Sequence, residues 1–320
     1  MIRNEFTFLS SDGRTPIHAV EWLPEGEVRA VLQISHGVAE YILRYEPFAA
    51  WLTERGFAVV GHDHLGHGGS VSAGAAPMYF GPKGSWNHVV DDIDRRRALA
   101  KARFPHVPYI LLGHSMGSFV VRTYLIRYPG GIDGAILMGT GQMAPPVIAA
   151  GRLLAAEEAR RVGQDQPSPL VEQVVFGAYN RQFAPNRTGF DWLSLSQDNV
   201  DRYIADPLCG IPASAGLFRE MLRGLDFITK PQNLKKMNLN APILLISGAM
   251  DPVGDCGKGV ARVCRSFRRA GVRDVSTKLY PELRHEILNE DCRETVYEDL
   301  LNWMTETLRG QDAAALAEEG

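Results

Sequence analysis

Pro108-Tyr109-Ile110-Leu111-Leu112-Gly113-His114-Ser115-Met116-Gly117 joins a short apolar run to a stretch with helical spacing that continues to Tyr128. Its last five residues form a G-x-S-x-G pentapeptide. A serine between a buried strand and a helix sits on a sharp turn, and small flanking residues let the backbone close without a Cβ clash. The hydroxyl then projects from the end of the sheet at a helix N-terminus, where free N–H groups and the helix dipole favour developing negative charge. Ser115 is the candidate nucleophile. A chance match is the competing reading in a chain with 32 glycines; strand before and helix after weigh against it.

The same alternation extends in both directions. Residues 4 to 10 and 16 to 23 read as a hairpin around Ser11-Asp12-Gly13. Strands are predicted at 30 to 35, 57 to 61, 132 to 138, 242 to 247 and 275 to 280. Helices are predicted at 45 to 55, 85 to 103, 116 to 128, 260 to 270 and 290 to 309. Alternating strands and helices make an α/β fold with a mostly parallel sheet flanked by helices. From about 141 to 235 the alternation lapses into helical or irregular sequence, with Pro145-Pro146 opening a helix through Val162. Residues 1–140 and 236–320 are therefore expected to form the core, and 141–235 a helical cap inserted beyond the strand ends, where open parallel sheets bind ligands. The acidic, alanine-rich tail 311 to 320 is expected to fray.

With 34 basic and 37 acidic side chains the net charge is -3, which supplies no global field for nucleic acid or anionic membrane. A small-molecule substrate is expected. Cys209, Cys256, Cys264 and Cys292 have no C-x-x-C spacing, and Cys264 and Cys292 fall on apolar helical stripes that read as core. The start resembles no signal peptide, no apolar run approaches the roughly 18 residues of a membrane span, and reduced thiols in a cytoplasm are the expected setting.

A serine hydroxyl is a poor nucleophile near neutral pH and needs a base, itself oriented by a carboxylate. Asp251 stands just beyond strand 242 to 247, and His285 just beyond strand 275 to 280. Each alone reads as an ordinary loop residue; together with Ser115 they place three complementary groups at strand carboxyl ends, in a chain order known among hydrolases. Asp255 is the rival acid, further from its strand end. The oxyanion would be held by the backbone N–H of Met116 and, after His36-Gly37, that of Val38.

With these residues in place the sequence resembles the α/β-hydrolase family, in its monoglyceride lipase and lysophospholipase-like branch, also described as serine aminopeptidase-like. The resemblance spans essentially the whole chain. It includes His36-Gly37-Val38-Ala39-Glu40 with Arg44-Tyr45, the loop Asp63 to Ser70, Asp206-Pro207-Leu208, Asp251 and His285-Glu286. It implies a Ser115, His285, Asp251 triad, an oxyanion hole at Val38 and Met116, and ester hydrolysis without a cofactor. Two departures are Tyr41, where such lipases often carry histidine, and a longer cap.

The expected substrates are monoacylglycerol or lysophospholipid-type acyl esters. A small-ester carboxylesterase, or an aminopeptidase or acyltransferase on the same triad, is the alternative. A non-catalytic binding protein of this fold usually lacks a triad member. His62-Asp63-His64-Leu65-Gly66-His67 is similar to a zinc motif of metallo-β-lactamase-like hydrolases, but Gly66 replaces the acidic ligand. It reads better as a turn bracing the oxyanion strand, and no metal is expected. Gly37, Glu40, His114, Val147, Leu153 and Leu154 are the substrate-pocket candidates. The apolar start of the cap helix, followed by a distal part made polar by Glu157, Glu158, Arg160 and Arg161, could also touch a membrane surface transiently.

Overall fold

The computed structural model describes residues 1–318, with side chains described through Gly310. Eight strands form one sheet: β1 (Ile2–Leu9), β2 (Pro16–Leu23), β3 (Ala30–Ser35), β4 (Phe57–His62), β5 (Tyr109–His114), β6 (Gly134–Met138), β7 (Ile243–Gly248) and β8 (Val275–Tyr280). Their spatial order is β1-β2-β4-β3-β5-β6-β7-β8. β2 pairs antiparallel with both β1 and β4, and every other pairing is parallel. Burial follows from that order. β3 through β7 are buried at every residue, as befits strands covered on both faces, whereas the edge strand β1 alternates between exposed and half-buried.

The helices are α1 (Glu46–Thr53), α2 (Trp86–Arg103), α3 (Met116–Arg127), α4 (Pro145–Val162), α5 (Pro169–Val175), α6 (Gln197–Ala205), α7 (Ala215–Ile228), α8 (Pro231–Leu234), α9 (Lys258–Ala270) and α10 (Arg293–Glu318). Phe48, Ala49 and Leu52 of α1 join Val296, Leu300 and Met304 of α10 in the core on one face of the sheet. Val89, Val90 and Ile93 of α2, Val120, Val121 and Tyr124 of α3, and Val260, Val263 and Phe267 of α9 fill the other. Helices α4 to α8 all fall between β6 and β7. There Ile148 and Ala155 of α4 join Leu217, Phe218, Met221 and Leu222 of α7 in the second core.

Three expectations change. The C-terminal helix begins at Arg293 and continues to Glu318, beyond the predicted end at 309 and through the tail expected to fray; residues 319 and 320 lie outside the described ones. Cys292 stands one residue before that helix and is exposed, so its stripe with Val296 and Leu300 never turns it inward; Cys264 is buried as expected. Glu158, assigned to the polar part of the cap helix, is buried, where it accepts from the Ser168 hydroxyl at 2.9 Å.

Candidate active site

Ser115 joins β5 to α3 with φ 53° and ψ −121°, a conformation that non-glycine residues adopt only when their surroundings enforce it. Its N–H donates to the Met138 carbonyl at 3.0 Å. Its carbonyl accepts from the Ser118 N–H at 2.9 Å and the Ser118 hydroxyl at 2.6 Å. Gly117 makes the turn possible, because a Cβ there would fall 2.0 Å from the Ser35 carbonyl oxygen. The N-terminus of α3 thus abuts the end of β3. Ser115 is 8% exposed, and that exposure opens into a cavity of about 480 Å³.

Asp251 and His285 meet beneath the same cavity. The Asp251 carboxylate accepts from His285 Nδ1 at 3.0 Å, from the Ser247 hydroxyl at 3.0 Å and from the Val253 N–H at 2.9 Å, in full burial. Burial works to raise its pKa, but the charge interaction and hydrogen bond with His285 and the other two donors outweigh it and hold the carboxyl below its usual range. Since the carboxylate accepts at Nδ1, Nε2 remains the nitrogen available to a hydroxyl. The imidazole packs against the rings of His114, centroids 4.7 Å apart, and Trp192, 5.1 Å apart. Asp255 is exposed and paired with Arg262 at 2.9 Å.

A buried polar network surrounds this trio. Glu40 Oε1 accepts from the Gly37 N–H at 2.6 Å, the Tyr45 hydroxyl at 2.9 Å and His114 Nδ1 at 3.0 Å, while Oε2 takes Arg44 at 2.8 Å. Arg44 also holds Glu286 through two bonds, and Asn199 of α6 donates to Glu286 at 2.8 Å. Burial would raise both carboxylates, yet His114 beside Glu40 and Arg44 beside Glu286 hold each below its usual value. The loop carrying His285 is stitched to residues 191 to 196. Arg284 donates to the Asp191 and Ser194 carbonyls, the Glu286 N–H to Leu193, and Glu290 accepts the N–H groups of Leu195 and Ser196.

Gly37, Val38, Glu40 and His114 border the cavity with Ser115 and His285. Among the described residues, neither the Val38 N–H nor the Met116 N–H has a protein acceptor. Val147, Leu153 and Leu154 do not line it, which corrects the sequence reading. Val147 and Leu153 are exposed, and Leu154 packs against the same core as Ile148 and Ala155, because the buried side of α4 is occupied by α7. The apolar wall is Phe176, Phe190, Trp192, Leu193, Tyr203 and Ile211, with Glu172, Gln173 and Asn180 as polar points. Sequence reading missed these because they come from short helices and irregular loops with no clean period. The His62 to His67 loop braces β3: His64 Nε2 meets the Ser35 hydroxyl at 3.0 Å, and Asp63 accepts the Ile42 N–H at 2.8 Å. Among the described residues no three His, Cys, Asp or Glu side chains are arranged to hold a metal ion. The departure at Tyr41 is also accounted for, since its hydroxyl donates to Asp206 at 2.8 Å.

Residues 26–292 match the family model described as serine aminopeptidase, S33. The chain is 30% identical over 314 residues to a monoacylglycerol lipase of Mycolicibacterium smegmatis, covering 96% of this chain and 98% of that one. It is 26% identical over 291 residues to the Homo sapiens monoglyceride lipase, covering 89% and 85%. Among solved structures, a thermostable carboxyl esterase from Bacillus coagulans in complex with glycerol superimposes with a TM-score of 0.89 at 27% identity, over 96% of this chain and 99% of that one. The chain therefore belongs to the serine aminopeptidase S33 family, as a serine ester hydrolase of the monoglyceride lipase and lysophospholipase branch of the α/β-hydrolases.

Proposed function

We propose that the chain hydrolyses monoacylglycerol or lysophospholipid-type acyl esters through Ser115, His285 and Asp251, with residues 141–235 acting as a cap over the site. The observation that carries this reading is the composition of the cavity: Ser115 and His285 line it together with Phe176, Phe190, Trp192, Leu193 and Ile211, an apolar lining that suits an alkyl chain. In this mechanism His285 Nε2 removes the proton from the Ser115 hydroxyl as its oxygen attacks the ester carbonyl, and Asp251 stabilises the resulting imidazolium. The N–H groups of Val38 and Met116 receive the oxyanion. His285 then protonates the departing alcohol, and water hydrolyses the acyl-enzyme by the reverse sequence.

Glu172 and Gln173 offer hydrogen-bonding points among the lining residues, which suits an alcohol moiety with free hydroxyls. The test compares purified protein on monoacylglycerols, lysophospholipids, short esters and aminoacyl amides, with a fluorophosphonate probe reporting Ser115. Labelling of Ser115 together with turnover confined to acetate esters or aminoacyl amides would replace the long-acyl assignment with the alternatives on the same triad. Absence of labelling would overturn the nucleophile assignment itself.

A further inference from the structure

His36 precedes the glycine of the oxyanion loop and is fully buried. Its two ring nitrogens face partners that admit only one arrangement. Nε2 lies 3.0 Å from the backbone N of His64, and Nδ1 lies 2.7 Å from the carbonyl oxygen of Gly37. A backbone N–H can only donate and a carbonyl can only accept, so Nε2 must be unprotonated and Nδ1 must carry the hydrogen. Burial also pushes the His36 pKa down, in keeping with a neutral ring.

The carbonyl that Nδ1 holds belongs to the same peptide unit as the Val38 N–H. That unit is planar and trans, since the only cis peptide among the described residues is Ala184-Pro185. In a trans peptide the C=O and N–H point in opposite directions, so anchoring the Gly37 oxygen toward His36 turns the Val38 hydrogen the other way. Gly37 lies close to the nucleophile, for a Cβ built on it would meet Ser115 Cβ at 3.2 Å. Its preceding peptide is fixed separately, through the Gly37 N–H bond to Glu40 at 2.6 Å.

We propose that His36, as the Nδ1–H tautomer set by the His64 backbone N–H, is a positioning residue that aims the Val38 N–H at the oxyanion. This rests on the proposed oxyanion role of Val38. The ring acts through the peptide and does not touch substrate. A donor aimed in advance costs no reorganisation when charge develops, so its loss should appear in kcat and leave substrate binding nearly unchanged.

Two substitutions separate the halves of the device. The amide nitrogen of His36→Asn occupies the place of Nδ1 and can still donate to the Gly37 carbonyl. The terminal oxygen of His36→Gln reaches the place of Nε2 and can still accept from His64, but it leaves the Gly37 carbonyl free. With p-nitrophenyl butyrate, and with active sites counted by fluorophosphonate labelling of Ser115, His36→Gln should lose about 10²-fold or more in kcat with KM within about threefold of wild type. His36→Asn should stay within about tenfold. Equal losses, the reverse ranking, or an unchanged kcat per labelled serine in both variants would overturn the proposal. Should both variants fail to fold, long-range proton–nitrogen NMR of the wild-type protein decides, because an Nε2–H tautomer or an imidazolium at neutral pH is incompatible with it. A wild-type protein whose Ser115 is not labelled would instead refute the proposed function, while the tautomer remains measurable.

Discussion

Arg44 and Glu286, 242 positions apart in the chain, meet in a bidentate pair with both bonds at 2.7 Å, joining the segment after the oxyanion loop to the residue after His285. Both side chains are largely buried, and Arg44 also pairs with Glu40 at 2.8 Å, so removing Arg44 leaves the Glu286 charge uncompensated, which typically costs about 3–5 kcal/mol. Arg44→Met should destabilise the fold on that scale in urea denaturation. The double variant Arg44→Met with Glu286→Leu should be no less stable than Arg44→Met alone, since the Glu286 carboxylate is gone while Glu40, which keeps Tyr45 and His114, is left the same in both. Strictly additive losses would show that the two side chains do not act as a unit.

Asp251→Asn should keep the packing but withdraw the carboxylate that fixes the His285 Nδ1–H, lowering kcat by a factor on the order of 10⁴. Asp255→Asn should leave kcat close to wild type, because that residue is exposed and engaged with Arg262. Ser115→Ala should abolish both turnover and fluorophosphonate labelling. Steady-state kinetics on the three purified variants checks the ranking, and a larger loss in Asp255→Asn than in Asp251→Asn would move the acid.

Strand β3 lies where its largely apolar run, ending just before His36-Gly37, places it, whereas the edge strand β8 has the mixed sequence Val-Ser-Thr-Lys-Leu-Tyr and is buried only at Val275. Ser115, Asp251 and His285 were legible for a related reason: each follows a recognisable strand by a few residues. The Glu40, Arg44, His114 and Glu286 network was legible only as a motif resemblance, since nothing local tells a buried ion pair from a solvated one. The cavity wall was misread at α4, where Leu153 has the composition of a pocket residue yet is 74% exposed. An amphipathic helix declares that it has an apolar side; which neighbour covers that side depends on α7, more than sixty residues later.

Asp92 of α2 accepts from the Ser10 hydroxyl at 2.7 Å and the Ser11 N–H at 2.6 Å, tying the first hairpin to the helix layer. Burial nevertheless pushes its carboxyl up to about 6 from an ordinary 3.8, outweighing those bonds. A folded-state value above the unfolded one favours folding fully below the unfolded value, and that contribution is lost as pH rises through about 6. The ionised carboxylate is thus a burden at neutral pH, on the order of 3 kcal/mol at most. Asp92→Asn, which can still accept from the Ser11 N–H, should gain stability relative to wild type at pH 8 and lose that advantage at pH 4. Urea titrations of both proteins at the two pH values test it; a difference independent of pH would mean that Asp92 is not strained by burial.

The apolar lining of the cavity and the exposed face of α4 can be probed separately, and monomeric p-nitrophenyl esters test the first. Each methylene buried along Phe176, Phe190 and Ile211 should add about 0.8 kcal/mol of binding, roughly a fourfold gain in kcat/KM, until the wall is exhausted. The series from acetate should therefore rise to at least octanoate. Ala213→Trp, placed on the lining, should end the rise several carbons earlier while sparing acetate, since it fills the space that longer chains would occupy. Leu153→Asp should leave the whole series unchanged, because that side chain projects into solvent and not into the cavity. A maximum at acetate in the wild-type protein would exclude a long acyl chain as the preferred substrate. A flattened series in Leu153→Asp would instead place the start of α4 over the cavity during turnover.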